Sequence, residues 1–319
     1  MPGARSGQVG ARILCGCASW ADRPLVDSGF YPTGVHDAES RLRHYASQFP
    51  LVEVDTSYYA IPDPATAAAW AARTPGGFTF DIKAFSLFTE HPAVVARLPK
   101  EVREALPAPL QGKRTVYRKD MPGEVVDRCW QAFVDAVYPL EAASRLGVVV
   151  FQFPKWVFPN RRTLRYLEEL RQRLGRHRAA VEFRSDTWLK PENREETLSV
   201  LGDLDFSYIC IDGPQGFRSS IPPIAVATND TGFVRFHGRN TETWEKRTRT
   251  SAERFDYWYR PEELDEWVPR IRQLAEQTSE VHLVMNTNNH DQGPKNMQLL
   301  EERLEHAGVR VEDAHGTLR

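Results

Sequence analysis

Eight short apolar runs punctuate the chain, at residues 12–17, 51–55, 78–83, 147–153, 179–184, 206–212, 233–237 and 281–286. Runs of this length, rich in Val, Ile and Phe and bounded by turn-forming residues, read as strands. Most are followed by a stretch whose apolar residues recur three to four apart. Asp63-Pro64 opens a helix over 65–73 as N-cap and first-turn proline, and Pro75-Gly76-Gly77 closes it. Asn160 precedes a helix over 161–174 that Gly175 ends, and Pro261-Glu262-Glu263 opens one running to about residue 277. Residues 124–146 and 292–304 carry the same helical period. Strands alternating with helices predict a parallel sheet. Eight such units predict an α/β fold of the (β/α)8, or TIM barrel, type.

Two connections break the pattern. The longest follows the third strand, where 98–123 is rich in proline and charge and predicts a surface insertion; 213–230 shows no helical period. The expected organisation is a flexible N-terminus over 1–10, one barrel domain over 11–307 and a C-terminal tail over 308–319.

Parity within the strands carries the functional signal. In the seventh, Arg235 and His237 share one face and Val234 and Phe236 the other. In the second, Glu53 and Asp55 oppose Val52 and Val54; in the third, Asp81 and Lys83 oppose Phe80 and Ile82. Gln152 opposes Phe151 and Phe153, and Glu182 with Arg184 opposes Val181 and Phe183. Asp212 and Asn286 end the sixth and eighth. Faces that meet helices must be apolar, so this polar set is expected inside the barrel, at the carboxyl end where barrel active sites lie. Two readings follow. Glu53 and Glu182 could merely neutralise Arg184, Arg235 and Lys83. The position of so many charges at the chemistry-bearing end favours a site.

Composition narrows the partners. Hydrophobic residues make up 41% of the 319, enough for a sizeable core, and 41 Lys+Arg against 43 Asp+Glu leave no global field to select nucleic acid or an anionic membrane. No apolar run approaches the ~20 residues of a membrane span, and the first ten residues lack a signal peptide's apolar core. Cys15, Cys17, Cys129 and Cys210 are scattered, and Cys15-Gly16-Cys17 has the wrong spacing for a zinc pair. A cytoplasmic protein with reduced thiols and no membrane partner is expected.

Several segments together resemble the YecE-like family: Cys15-Gly-Cys-Ala-Ser-Trp20, Phe30-Tyr31-Pro32, Val52-Glu53-Val54-Asp55-Thr56-Ser57-Tyr58-Tyr59 and Phe80-Asp81-Ile82-Lys83. Phe151-Gln152-Phe153-Pro154, Glu182-Phe183-Arg184 with Trp188, Val234-Arg235-Phe236-His237-Gly238-Arg239 and Asn288-Asn289 continue it in the family's order. Asp55 stands where that family usually has asparagine. The resemblance implies a TIM barrel and brings no reaction; the family's suggested likeness to endonuclease IV-type barrels is an analogy.

The chemistry is argued from the residues. The loops after strands seven and eight, where barrels often hold phosphate, carry His237-Gly238-Arg239-Asn240 and Asn286-Thr287-Asn288-Asn289. Gly238 admits close backbone approach and Arg239 offers a forked grip on phosphate or carboxylate. The expected function is that of an enzyme, a hydrolase or lyase acting on a small anionic ligand. Glu53, Glu182, Asp212 and His237 are its candidate acid–base groups and Lys83 its electrophile or pKa perturber. Candidate binding residues are Trp20, Asp55, Tyr58, Gln152, Arg184 and Trp188, with Arg235, Arg239, Asn286, Asn288 and Asn289. No cofactor is required. A divalent metal at Glu53, Glu182, Asp212 and His237 would meet repulsion from Lys83, Arg184 and Arg235. Two alternatives stand beside this reading. Cations interleaved with aromatics between Arg235 and Arg260, including Arg247 and Arg249, admit nucleic acid as a partner. The protein could also bind a ligand without catalysis. The pattern specifies no oligomeric state.

Overall fold

Eight runs of β-forming residues, each too short to bury both faces alone, reach a closed solution by pairing in parallel around an axis. The computed structural model describes residues 10–246, 248 and 250–319. The barrel strands are β1 (Arg12–Ala18), β2 (Leu51–Val54), β3 (Thr79–Lys83), β4 (Leu146–Gln152), β5 (Ala179–Glu182), β6 (Phe206–Asp212), β7 (Thr231–Phe236) and β8 (Glu280–Met285). Each pairs with its sequence neighbours, and β1 closes on β8 through a register that sets Arg12 against Glu280 and Cys17 against Met285. Closure leaves the barrel no open edge. Every expected strand is present. Asp55, Arg184, His237 and Asn286 fall just beyond the last strand residue, on the loops at the carboxyl end.

The principal outer helices are α1 (Ala38–Ala46), α2 (Pro64–Ala72), α3 (Gly123–Ala142), α4 (Arg161–Leu174), α5 (Pro191–Asp203), α6 (Val268–Gln277) and α7 (Gln292–His306). The starts of α2 and α4 are the expected ones. The Asp63 carboxylate accepts from Ala65 N–H at 2.8 Å, and Asn160 Oδ1 accepts from Arg162 and Thr163 N–H at 3.0 and 3.1 Å. In α4 the buried residues Tyr166, Leu167, Leu170 and Leu174 form one stripe. The expected helix over 261–277 instead splits into Pro261–Asp265 and α6. Pro269 lies in the first turn of α6, where its missing N–H is harmless, and it disfavours continuing the earlier helix through. The break lets Trp267 turn fully into the protein.

The segment after β3 is an insertion whose apolar residues join the barrel's core rather than a plain surface loop. A ribbon of Ala93–Val94 against Thr115–Val116 frames short helices Lys100–Ala105 and Ala108–Gln111, and Leu98, Val102 and Leu106 are buried. The C-terminal residues expected as a tail are docked as well: Val309 and Val311 are buried, and Glu312 N–H donates to the Ile13 carbonyl at 2.9 Å. Among the described residues no helix is long and apolar enough to cross a membrane.

At the amino end of the barrel lies an ionic floor. His282, fully buried, meets Asp81 through Nδ1 and Glu280 through Nε2, both at 2.8 Å. Asp81 also accepts from Val148 N–H at 2.9 Å, and Glu280 is held from outside by Arg178 and Arg12. Gly147 makes room for this cluster, since a Cβ there would stand 2.2 Å from Asp81 Oδ1. Burial lowers the His282 pKa, but Asp81 and Glu280 outweigh it and raise the value from 6.5 to about 9. A raised folded pKa means that the folded chain grips the proton more tightly than the unfolded one. The stabilisation is therefore full below about pH 6.5 and lost as pH rises through about 9. Denaturant unfolding should show His282→Gln less stable by about 3–5 kcal/mol near pH 6, with a clearly smaller gap near pH 9.5. An equal gap at both would mean a neutral imidazole.

Candidate functional site

Above the floor a second polar layer is built around Arg235. Strand parity turns this guanidinium inward, where no water reaches it, so it must be answered by protein. It donates to Glu53 Oε1 at 2.7 Å, to Glu182 Oε2 at 2.6 Å and to Gln152 Oε1 at 3.2 Å. Three strands are thus tied to β7 at one point. Glu182 also accepts from Arg184 Nε and lies 3.2 Å from His237 Nε2. Burial pushes its carboxyl up, but Arg184, Arg235 and His237 together hold it well below the usual range.

His237 is buried as part of this layer. A proton on Nε2 satisfies Glu182 and leaves Nδ1 to accept from the Asn286 amide at 2.8 Å. Burial and then Arg184 depress its pKa to about 3, so it is neutral at physiological pH rather than titrating near 7 as the residue type alone suggested.

The edge of the layer nearest solvent differs. Lys83 Nζ meets Asp55 Oδ1 at 2.9 Å, and the Tyr58 ring lies 5.2 Å from the same ammonium. Ser57 Oγ donates to the Val54 and Lys83 carbonyls, which fixes β2 against β3 where both charges emerge. Glu53 lies beneath. Burial raises its pKa to about 8; Arg235 opposes the rise and Asp55 adds to it. Asp55 moves the other way: burial raises it, but Lys83 and then Arg235 outweigh that and hold it below the ordinary carboxylate value. Glu53 Oε2, which Arg235 leaves free, is buried with no hydrogen-bond partner, and burial together with the Asp55 charge favours a proton on Glu53 while Lys83 keeps Asp55 ionised. Asp22, half-buried near Asp55, is raised to about 6, chiefly by burial and then by Asp55.

Two adjoining cavities open over this edge. One, of about 370 Å³, is bordered by Asp55, Tyr58, Lys83, Gln152, Asn286 and Asn288. The other, of about 300 Å³, is bordered by Arg184, Trp244, Lys155 and Trp156. His91, Gln152, Arg254 and Phe255 border both, so they form one mouth with two lobes. His91 was not among the expected residues; it sits in the irregular segment after β3, where periodicity is silent. Burial, then Lys83 and Arg184, lower its pKa to about 4. The floor residue His282 was also missed, although it shares parity with Asn286 on β8 and could have been found that way.

Other expected site residues are placed elsewhere. Asp212 does not point into the barrel. Its register partner on β7 is Phe236, which faces the helices, and Asp212 points there too. It accepts from Trp267 Nε1 at 2.6 Å, Tyr259 OH at 2.7 Å and Arg239 Nη2 at 2.7 Å. Arg239 is therefore paired, with Glu266 completing its shell at 3.0 Å, and is not an open anion grip. Gly238 (φ +77°) admits Tyr257 instead of a ligand, since a Cβ would stand 2.5 Å from the Tyr257 Cβ. Trp188 is buried face to face on Phe183 at 3.8 Å, with its N–H donating to the Val157 carbonyl. Trp20 packs edge-on against Trp70 and Phe80 at the rim. Asn289 offers its carbonyl to Gln292 N–H at the start of α7. Arg247 and Arg249 lie outside the described residues. Among those described, no three His, Cys, Asp or Glu converge in a way that could hold a metal ion.

With this geometry established, comparison with known proteins identifies the family. A family model described as "Protein of unknown function DUF72" matches residues 14–317. The chain belongs to the DUF72 family. YecE-like, the resemblance carried by the motifs, is another name for it. A DUF72 relative, the UPF0759 protein YunF of Bacillus subtilis, is 28% identical over 305 residues, covering 93% of this chain and 97% of its own. Crystal structures of DUF72 proteins from Enterococcus faecalis and Thermotoga maritima superpose with TM-scores of 0.73 and 0.72, each at 23% identity over 92% of this chain. They cover 95% and 99% of those chains and support the same barrel.

The DUF72 barrel's inner layer can be tested by unequal substitutions. Arg235→Met strands Glu182 without its buried cation and should cost about 3–5 kcal/mol in urea unfolding. Glu53→Gln keeps a neutral acceptor for the same N–H and should cost well under half of that, because Glu53 already carries a proton. Comparable losses would show that Glu53 is ionised.

Proposed function

We propose that this DUF72 protein is an enzyme of the hydrolase or lyase type. It acts on a small phosphate- or carboxylate-bearing substrate in the two-lobed mouth at the carboxyl end of the barrel. The observation that carries the reading is the Asp55–Lys83 pair at the edge of an open cavity with the buried Glu53 beneath it, whose pKa burial and Asp55 raise to about 8. Most of the other buried charges are matched in closed networks. Glu53 holds a transferable proton near neutral pH, the condition for general acid–base work.

The roles follow from position. Glu53 stores the proton beneath the cavity, and it reaches substrate through the carboxylate of Asp55, which takes a proton from Glu53 as it gives one up. Asp55 raises the Glu53 pKa and borders the substrate. Lys83 and Arg184, each partly exposed to the mouth, with Arg254 on the rim, face the anionic group; Gln152, Asn286 and Asn288 supply amides. Arg235 is too deep to touch substrate and acts by positioning Glu53 and Glu182. With Glu53 protonated and His237 neutral, Lys83, Arg184, Arg235 and Arg254 outnumber Asp55 and Glu182, which favours an anion.

Small phosphate monoesters and carboxylates should be screened for binding by calorimetry and for turnover. Glu53→Gln should lower kcat by about 10²–10⁴-fold, and the wild-type rate should fall above a pH of about 8 as Glu53 deprotonates. Asp55→Asn, which installs the residue usual in the family, removes the charge that raises Glu53. It should move that alkaline limb to lower pH. An anion that binds in the mouth but is never turned over would leave a ligand-binding protein and overturn the catalytic reading. Turnover indifferent to Glu53→Gln would overturn the assignment of the acid.

A further inference from the structure

Beyond the mouth, exposed aromatic rings are placed unevenly. Tyr117, Trp156 and Phe158 are 39%, 52% and 47% exposed, and all three border one groove between the insertion after β3 and the start of α4. The groove, about 250 Å³, adjoins a recess of about 420 Å³ over Arg161, Arg162 and Arg165. Arg118, shared by both, is committed: it donates to Glu90 at 2.6 Å and stacks on the Tyr166 ring at 3.8 Å. Lys119, Arg161, Arg162 and Arg165 are exposed, and among the described residues none of them is in an ion pair.

Those cations sit where local physics opposes them. Arg161 and Arg162 occupy the first turn of α4, the positive end of the helix dipole, and no acidic residue shares that turn. Arg161 and Arg165 are a like-charged i, i+4 pair. A surface that breaks two local rules and also leaves three large rings in water is poorly explained by stability of the free chain. An anionic, ring-bearing ligand would answer both.

The rings also lead somewhere. Trp156 contacts His91 edge-on at 5.5 Å, His91 contacts Tyr58 at 5.3 Å, and Tyr58 contacts Tyr59 at 5.0 Å. Trp156 borders both the groove and the mouth, and Tyr58 and Tyr59 line the mouth itself. A ladder of rings therefore runs from the cationic groove to the carboxyl end of the barrel.

We propose that this groove binds single-stranded nucleic acid, with phosphates along Lys119, Arg162 and Arg165 and bases stacked on Trp156 and Phe158. Ring faces accept any unpaired base, whereas in a duplex the bases are already stacked on one another. The loop between Arg239 and Arg260 is not needed for this, and the proposal stands whether or not Glu53 and Asp55 transfer protons.

Fluorescence anisotropy with labelled twelve-nucleotide dT and U strands tests it in the full-length protein. Binding should be seen at low salt, should weaken as salt rises, and should exceed that of a duplex of the same length. Phe158→Ala and Trp156→Ala should each weaken binding about fivefold or more. Arg162→Glu should reduce the steepness of the salt dependence, and circular dichroism should show all three variants folded. Phe158 lies away from the mouth and is an exposed ring, so its loss tests the groove without disturbing the acid–base pair. Equal affinity for the strands and for heparin, with no effect of either ring substitution, would reveal a mere polyanion patch and overturn the proposal. Binding of a single mononucleotide as tight as that of the strand would overturn the strand as ligand. No binding at low salt would overturn it outright.

Discussion

The structure depends on one guanidinium that cannot reach water. Arg235 sits on the barrel axis and must be answered by acceptors from β2, β4 and β5. A buried pair of this kind contributes little net stability against an apolar core of equal volume, yet removing one partner is expensive. Its value lies in arrangement. Arg235 fixes Glu53 through one carboxyl oxygen and leaves the other without a partner, and it fixes Glu182 where that carboxylate also faces Arg184 and His237. The carboxyl beneath Asp55 thus inherits its geometry from a residue that is itself fully buried.

Two polar layers inside one barrel explain why the upper one can be functional. The floor of Asp81, His282 and Glu280 is closed on itself and capped by Arg178 and Arg12. The upper layer is closed around Arg235 but open at Asp55 and Lys83, where the cavity begins. Similar residue types carry opposite consequences in the two places. His282 is driven to hold a proton by two carboxylates that outweigh its burial, and His237 is driven to give it up by burial and then by Arg184.

Much of this was legible in the sequence because strand parity has a period of two. It put Glu53, Asp55, Lys83, Gln152, Glu182, Arg184, Arg235 and His237 into one funnel. It failed at Asp212, because a residue ending a strand takes its direction from the register with its neighbour, and the partner Phe236 faces the helices. Arg239 failed for the same reason, since its partner had moved outside. His91 was beyond reach because it lies in a segment without periodicity. The break at Trp267 depended on a proline inside an otherwise helical pattern. The pairing of Glu53 with Asp55 was visible as proximity, but the direction of each pKa was not, because that depends on which oxygen faces which cation.

Asp212, displaced from the chemistry, has a consequence for motion. Its two oxygens gather Trp267 ahead of α6, Tyr259 from the long rim loop and Arg239 from the turn after β7, and Tyr259 in turn holds the Gly238 amide at 2.9 Å. Segments distant in sequence are thereby knotted at a single carboxylate. Releasing any one of these partners would leave a buried carboxylate short of a donor. One carboxylate behind the mouth thus couples the turn after β7, the rim loop and the approach to α6, so a change at any of the three is felt by the other two.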